Sequence, residues 1–226
     1  MSVRIKFYIK VLFLLLATIS CSKENLSSNS DSAYFPLSIG QSTKFDIERT
    51  IYSLSSSPET DHLLTLQVIS DSFKDIHEQQ VFKTMYYVQE NKSEWKLDST
   101  GTSWHTLDKA LSQENGRTIV NMCFPLTEKV MWNGNLFNSN GETMFRAVDV
   151  GEPFQIGNTI YPNTVTIIRQ DDSTLLSKNK YIEIYAKDVG LIRKEKVFLQ
   201  YCNPSDCVGN GVINTGWKEL STIKND

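Results

Sequence analysis

The amino-acid sequence predicts an all-β protein: a single antiparallel domain, a strongly curved sheet or incomplete barrel of about ten strands with one short helix. Three observations carry that expectation. Apolar residues recur at every second position through most of the chain, turn-forming clusters separate these runs, and a single segment has helical spacing. Period two buries one face of a strand and leaves the other in water, as antiparallel sheets do.

In "KFDIERTIY", 44–52, Phe45, Ile47 and Ile51 share one side, with Asp46, Glu48 and Thr50 on the other. The same pattern marks strands at 63–69, 81–88, 93–97, 118–124, 142–150, 164–170, 180–187, 191–201 and 216–223. Between them, "SSSPET", "NGNLFNSNGE", "IGNTIYPN", "QDDST" and "NPSDCVGNG" are rich in the residues that turns require. The segment "TLDKALSQEN", 106–115, places Leu107, Ala110 and Leu111 at spacings of three and four and is the predicted helix. Doubly wound parallel folds need repeated helical crossovers and are excluded. So many strands must close, layer or curl, because a flat open sheet leaves its edges exposed.

The N-terminus supplies an address. Arg4, Lys6 and Lys10 precede an apolar run, Val11–Ile19, too short to cross a bilayer, which takes roughly 20 residues. That is the layout of an export signal. The run ends in "TISC", which resembles the lipobox of bacterial lipoproteins, with Thr18 where leucine is usual. The resemblance implies that residues 1–20 are a signal peptide and that Cys21 is the lipidated first residue, anchoring the protein to a membrane. Residues 21–33, "CSKENLSSNSDSA", are polar and serine-rich and read as a flexible tether, leaving 34–226 as the β domain. Ser22, in place of the aspartate that retains such proteins at the inner membrane, points to the outer membrane, with the leaflet left open.

Loss of residues 1–20 removes three basic groups and no acidic one, taking the net charge from −3 to −6. An acidic surface without a basic cluster argues against nucleic-acid binding. With Cys21 committed to lipid, Cys202 and Cys207 flank Asn-Pro-Ser-Asp in an oxidising compartment and are expected to form a disulfide. Cys123, in "IVNMCFP", reads as a buried free thiol.

Three segments, "YFPLSIGQSTKFDIE" (34–48), "FPLTEKVMWNGNLFN" (124–138) and "EIYAKDVGLIRKEKVFLQY" (183–201), resemble a recurrent group of uncharacterised Bacteroidetes lipoproteins. The resemblance implies an exported lipoprotein with a mostly antiparallel β domain and no established activity. Gly40 and Gly190 in these segments are expected where the backbone needs positive φ or a bulge, and Asn133-Gly134 as a hairpin turn. The functional alternative is that Trp132, Asn133 and Asn135 contact a ligand, the ring by stacking and the amides by hydrogen bonding.

Catalytic signatures are scarce. His62, His77 and His105 are scattered, no Gly-x-Ser-x-Gly elbow occurs, and no metal-ligand spacing is present, so neither catalytic residues nor a metal or other cofactor are assigned. His105 and Asp108 are read as polar side chains on the surface rather than a catalytic dyad, and Asp171-Asp172 and the "NSNGE" acceptors as turns. Two function classes follow: a non-enzymatic envelope module that binds a small ligand or a protein partner, and a hydrolase acting on a polymer such as a glycan.

Overall fold

The structure, a computed structural model, describes residues 28–90 and 93–224. The predicted signal peptide, Cys21 and most of the predicted tether lie outside these residues. The first described segment is one helical turn, Ser28–Asp31, continued by a 3-10 turn, Ser32–Tyr34. The strands that follow are β1 (Ser42–Ser53), β2 (Ser56–Lys74), β3 (Gln80–Glu90), β4 (Lys96–His105), β5 (Lys109–Glu114) and β6 (Arg117–Cys123). The second half contributes β7 (Met131–Asn133), β8 (Met144–Ile156), β9 (Thr159–Ser173), β10 (Ser177–Ala186), β11 (Gly190–Tyr201) and β12 (Ile213–Ile223).

All twelve form one sheet in the order β6-β5-β4-β3-β2-β1-β12-β11-β10-β9-β8-β7, and every neighbouring pair is antiparallel. Each half of the chain is a meander, and β1 and β12 join the halves in the middle of the sheet. The free edges, β6 and β7, are brought together as the sheet rolls. Val120 N–H donates to the Gly134 carbonyl at 2.9 Å, the Trp132 indole N–H to the Val120 carbonyl at 2.8 Å, and the Asn138 amide to the Thr118 carbonyl at 2.8 Å. These bonds satisfy part of the exposed edge and make the sheet a nearly closed barrel.

The seam also explains the Asn-Gly dipeptide differently from the hairpin turn the sequence suggests. Gly134 does not have positive φ, and the β7–β8 connection runs on to residue 143. A methyl group at position 134 would overlap the Phe145 ring, so glycine is needed for close approach. Gly40 and Gly190, at φ 87° and 93°, do take up the positive-φ conformation.

The predicted helix at 106–115 is instead the β4–β5 turn and β5. Leu107 is 83% exposed in the turn, while Ala110 and Leu111 are buried side by side. Adjacent strand residues normally face opposite ways, but the register shifts between Ala110 and Leu111, where Asn121 is extra on β6. A bulge there re-aims one side chain and mimics helical spacing. Two turn expectations also move: Asp171 and Asp172 belong to β9, paired with Lys180 and Asn179, and "SSSPET" opens β2, with Pro58 at a register shift.

The main core fills one side of the barrel with Leu111, Val120, Met122, Trp132, Phe145, Val165, Ile167 and Tyr185. A second cluster joins Tyr161, Ile184, Ala186 and Ile192 with Phe154 and Ile156 of the long β8–β9 hairpin. Cys202 and Cys207 are bonded across the β11–β12 connection, with Cα atoms 5.8 Å apart. Cys123 is free, and half-buried rather than fully buried. Because the disulfide closes a short loop away from both cores, the Cys202→Ser/Cys207→Ser variant should lose about 2 kcal/mol and keep the native circular dichroism spectrum. Urea denaturation measures the loss, and an unfolded variant would contradict the local role given to this bond.

Candidate functional site

The barrel interior is not filled throughout. Beside the main core lies a cavity of about 560 Å³, bounded by β1 to β4 on one side and β10 to β12 on the other. Phe45, Ile47 and Leu63 give it an apolar wall, with Ile69 and Val88 beyond. Alternation delivers the rest: on β10 every second residue, Tyr181, Glu183 and Tyr185, faces the cavity, as do Lys194 and Lys196 on β11 and Glu219 on β12.

The two ends differ. At one end the segment after the 3-10 turn acts as a plug. Phe35 packs against His105 and Tyr185, with ring centroids 6.0 and 6.2 Å away, and Pro36 lies so close over Gly190 that a Cβ added there would be 3.3 Å from its ring. Gly40 N–H donates to Ile69, and Ile69 N–H returns a bond to Gln41. At the opposite end the cavity reaches exposed Glu90, Asp98 and Asn115 beside the β3–β4 and β5–β6 turns. The plug follows directly on residues 28–34, so the mouth lies at the end remote from the N-terminal segment.

A buried polar network crosses the interior. The Arg169 guanidinium is 2.5 Å from the Glu183 carboxylate and donates to Asn121 Oδ1 at 2.7 Å, and Asn121 Nδ2 donates to Ser112 Oγ at 2.9 Å. The hydroxyls of Tyr185 and Tyr181 donate to the two Glu183 oxygens at 2.7 and 2.9 Å. Phe145 and Tyr181 present ring faces to Arg169, with centroids 5.1 and 4.9 Å from Cζ. Burial alone would raise the Glu183 pKa, but Arg169, the Tyr185 hydroxyl, Lys194 and Tyr181 outweigh it and hold the carboxyl below its usual range. A second pair, Arg49 with Glu219, lies at 2.5 Å nearby.

Two lysines complete the interior. Lys194 is the cross-strand partner of Glu183, and Lys196 sits between Tyr181 and Glu219, with Nζ 4.7 Å from the Tyr181 ring centroid. Burial, then the repulsion of Lys194, lowers the Lys196 pKa. Arg49, Arg169, Lys194 and Lys196 thus face the two interior carboxylates Glu183 and Glu219.

Trp132, Asn133 and Asn135 lie at the seam, away from this cavity. Trp132 is 6% exposed and meets Phe145 edge to face. Asn133 Oδ1 accepts from the N–H groups of Asn135 and Thr143, and Asn135 Nδ2 donates to Thr143 Oγ1. Stacking a ligand on the Trp132 ring would require displacing its neighbours. His105 does not lie free on the surface either. Its ring is wedged between Phe35 and Phe124, and Asp108 turns away to Thr106 and Lys109.

Burial lowers the His105 pKa below 6.5, against a smaller opposite effect of its hydrogen bond with the Phe35 backbone. Below pH 6.5 the unfolded chain therefore takes up a proton that the folded one refuses, and stability falls with pH. Urea midpoints between pH 7.5 and 5 should decline more steeply for the native chain than for His105→Leu. Equal slopes would contradict the buried neutral imidazole.

The cavity lining was not recognised in the sequence. "YIEIY" and "RKEK" read as strands with a solvated polar face. The available signal was the pair Tyr181 and Tyr185 on the same side as Glu183, since a solvent face has no need of two aromatics beside a carboxylate.

No family model matches the chain, and no curated protein matches it. Among solved structures it is similar to a candidate lipoprotein of Parabacteroides distasonis, with 13% identity, a TM-score of 0.33, and coverage of 84% of this chain and 98% of that one. It is also similar to a candidate exported protein of Bacteroides fragilis with a YmcC-like fold, at 12% identity, a TM-score of 0.32 and the same coverage. Scores of this size do not establish a shared fold.

Proposed function

We propose that the chain is a lipoprotein of the bacterial envelope, anchored to the outer membrane through Cys21, whose barrel interior holds a small ligand without transforming it. The observation that carries this reading is the cavity of about 560 Å³. It lies within the range of roughly 300–1,000 Å³ common to small-molecule sites, and it sets an apolar wall beside a larger polar and charged lining. The plug at the tether end and the mouth at the far end leave the cavity reachable from the aqueous side.

A hydrolase is less well supported. Glycoside cleavage needs one carboxyl protonated near neutral pH. Glu183 is held ionised by Arg169 and two tyrosine hydroxyls, and Glu219 is engaged by Arg49.

Two measurements test the proposal. Cys21→Ala should release the protein from the membrane fraction; retention there would refute the anchor. For the cavity, the mature protein is purified from its own membrane and its bound molecules are identified by mass spectrometry. Thr65, which lines the cavity between its cross-strand partners Phe45 and Val88, is replaced by tryptophan in parallel. A bound species present in the native protein and lost from Thr65→Trp is the expected result. No bound species, or one retained by Thr65→Trp, would overturn the reading.

A further inference from the structure

We propose that the ligand carries an acidic group, a carboxylate or phosphate, on an apolar body, and that Lys194 and Lys196 receive the acidic group while Phe45, Ile47, Leu63 and Val88 receive the body. This deepens the binding reading above and rests on it.

Charge balance is the first ground. Of the ionisable groups facing this part of the cavity, Glu183 is committed to Arg169 and Glu219 to Arg49, each at 2.5 Å. Lys194 and Lys196 stand across the ladder from these carboxylates, yet neither makes an ion pair within 4.0 Å among the described residues. Leaving aside the exposed groups, Arg49 as well as Glu90 and Asp98, three interior cations, Arg169, Lys194 and Lys196, answer the two anions Glu183 and Glu219, and Glu219 is already paired with Arg49. Excess positive charge inside a barrel is costly unless something compensates it.

An unsatisfied donor is the second ground. The Arg169 side chain is 10% exposed and lines the cavity, and its Nε–H has no hydrogen-bond partner. Its contacts with Glu183 and Asn121 both run from one terminal nitrogen, Nη2, so an acceptor at Nε would not compete with the pair.

The layout is the third. Lys194 and Lys196 are two residues apart on one face of β11, so their Cα atoms are about 7 Å apart and one anionic group can lie between their flexible stems. On the same inner wall, Ile47 lies in the ladder row of Lys194 with Ser221 of β12 between them, and Phe45, Leu63 and Val88, with Thr65 among them, carry a mainly apolar surface away from the lysines. A free inorganic anion would leave this wall unused, and a neutral apolar molecule would leave the lysines uncompensated.

The test is calorimetric titration of the mature lipoprotein, held in nanodiscs of zwitterionic lipid, with octanoate, octyl phosphate and 1-octanol. Both anions should bind at least tenfold more tightly than the alcohol, and their relative affinity separates a carboxylate from a phosphate ligand. In Lys194→Gln/Lys196→Gln the anions should bind no more tightly than octanol does to the same variant. The charge-conserving Lys194→Arg/Lys196→Arg should keep the preference, which guards against a folding defect in the glutamine variant. Octanol binding as tightly as the anions, while still blocked by Thr65→Trp, would overturn the acidic-ligand proposal and leave the cavity reading standing. A preference that survives in the glutamine variant would likewise overturn it. No binding of any of the three probes would overturn both.

Discussion

Replacing Arg169 by methionine should lower the free energy of unfolding by about 3–5 kcal/mol, the largest effect expected of any single polar substitution in this chain. Methionine fills much of the space between Phe145 and Tyr181 but leaves the Glu183 carboxylate, 4% exposed, without its cation. The two tyrosine hydroxyls cannot neutralise that charge. Glu183 would then take up a proton far more readily, so the variant's stability should depend strongly on pH near neutrality. Replacing both partners, in Arg169→Met/Glu183→Leu, should recover most of the loss, because an apolar pair of similar volume avoids the burial of an unpaired charge. Urea denaturation of the three proteins measures this. A double variant no more stable than the single one would show that packing, rather than charge, is what Arg169 supplies.

The native pair carries its own pH dependence. The Glu183 pKa is lowered in the folded state, so its contribution is complete above the ordinary carboxylate value of 4.5 and is lost progressively as pH falls below it. This acid loss lies below the decline assigned to His105.

Trp132→Ala should cost a similar amount, about 3–5 kcal/mol, for a different reason. The ring is buried against Phe145, and its N–H holds the β6 edge through the Val120 carbonyl. Removing it opens a cavity at the place where the sheet closes on itself. The exposed β6 edge should then promote association between molecules. Trp132→Phe keeps most of the packing and loses the hydrogen bond, so about 1–2 kcal/mol is expected. Sedimentation of Trp132→Ala under native conditions checks the edge argument. A stable monomer would mean that the seam does not depend on this residue.

The strands were legible because period two follows from strand geometry alone. Phe45 and Ile47 are buried with Asp46 and Glu48 exposed, as the alternation in β1 requires. Two features were not legible. Ala110 and Leu111 imitate a helix because a bulge is a register fact about two strands, and nothing within β5 records it. The interior charges were hidden because alternation gives the period of a strand and not which face is inside. In β10, Ile184 packs in the second cluster while Glu183 faces the cavity, the reverse of the usual assignment. β4 was placed too early for the same reason: its cavity-facing residues Asp98, Thr100 and Ser103 are small or polar, so the strand has little apolar alternation to read.

The central claim is that the barrel interior is a binding site for an amphiphilic anion. The most direct measurement is a crystal structure of the mature protein isolated from its own membrane with nothing added. The account predicts continuous non-protein density running from the Lys194 and Lys196 ammonium groups along Phe45 and Leu63. Density of ordered water alone in that space, or a bound molecule lodged instead at Trp132, Asn133 and Asn135, would contradict it.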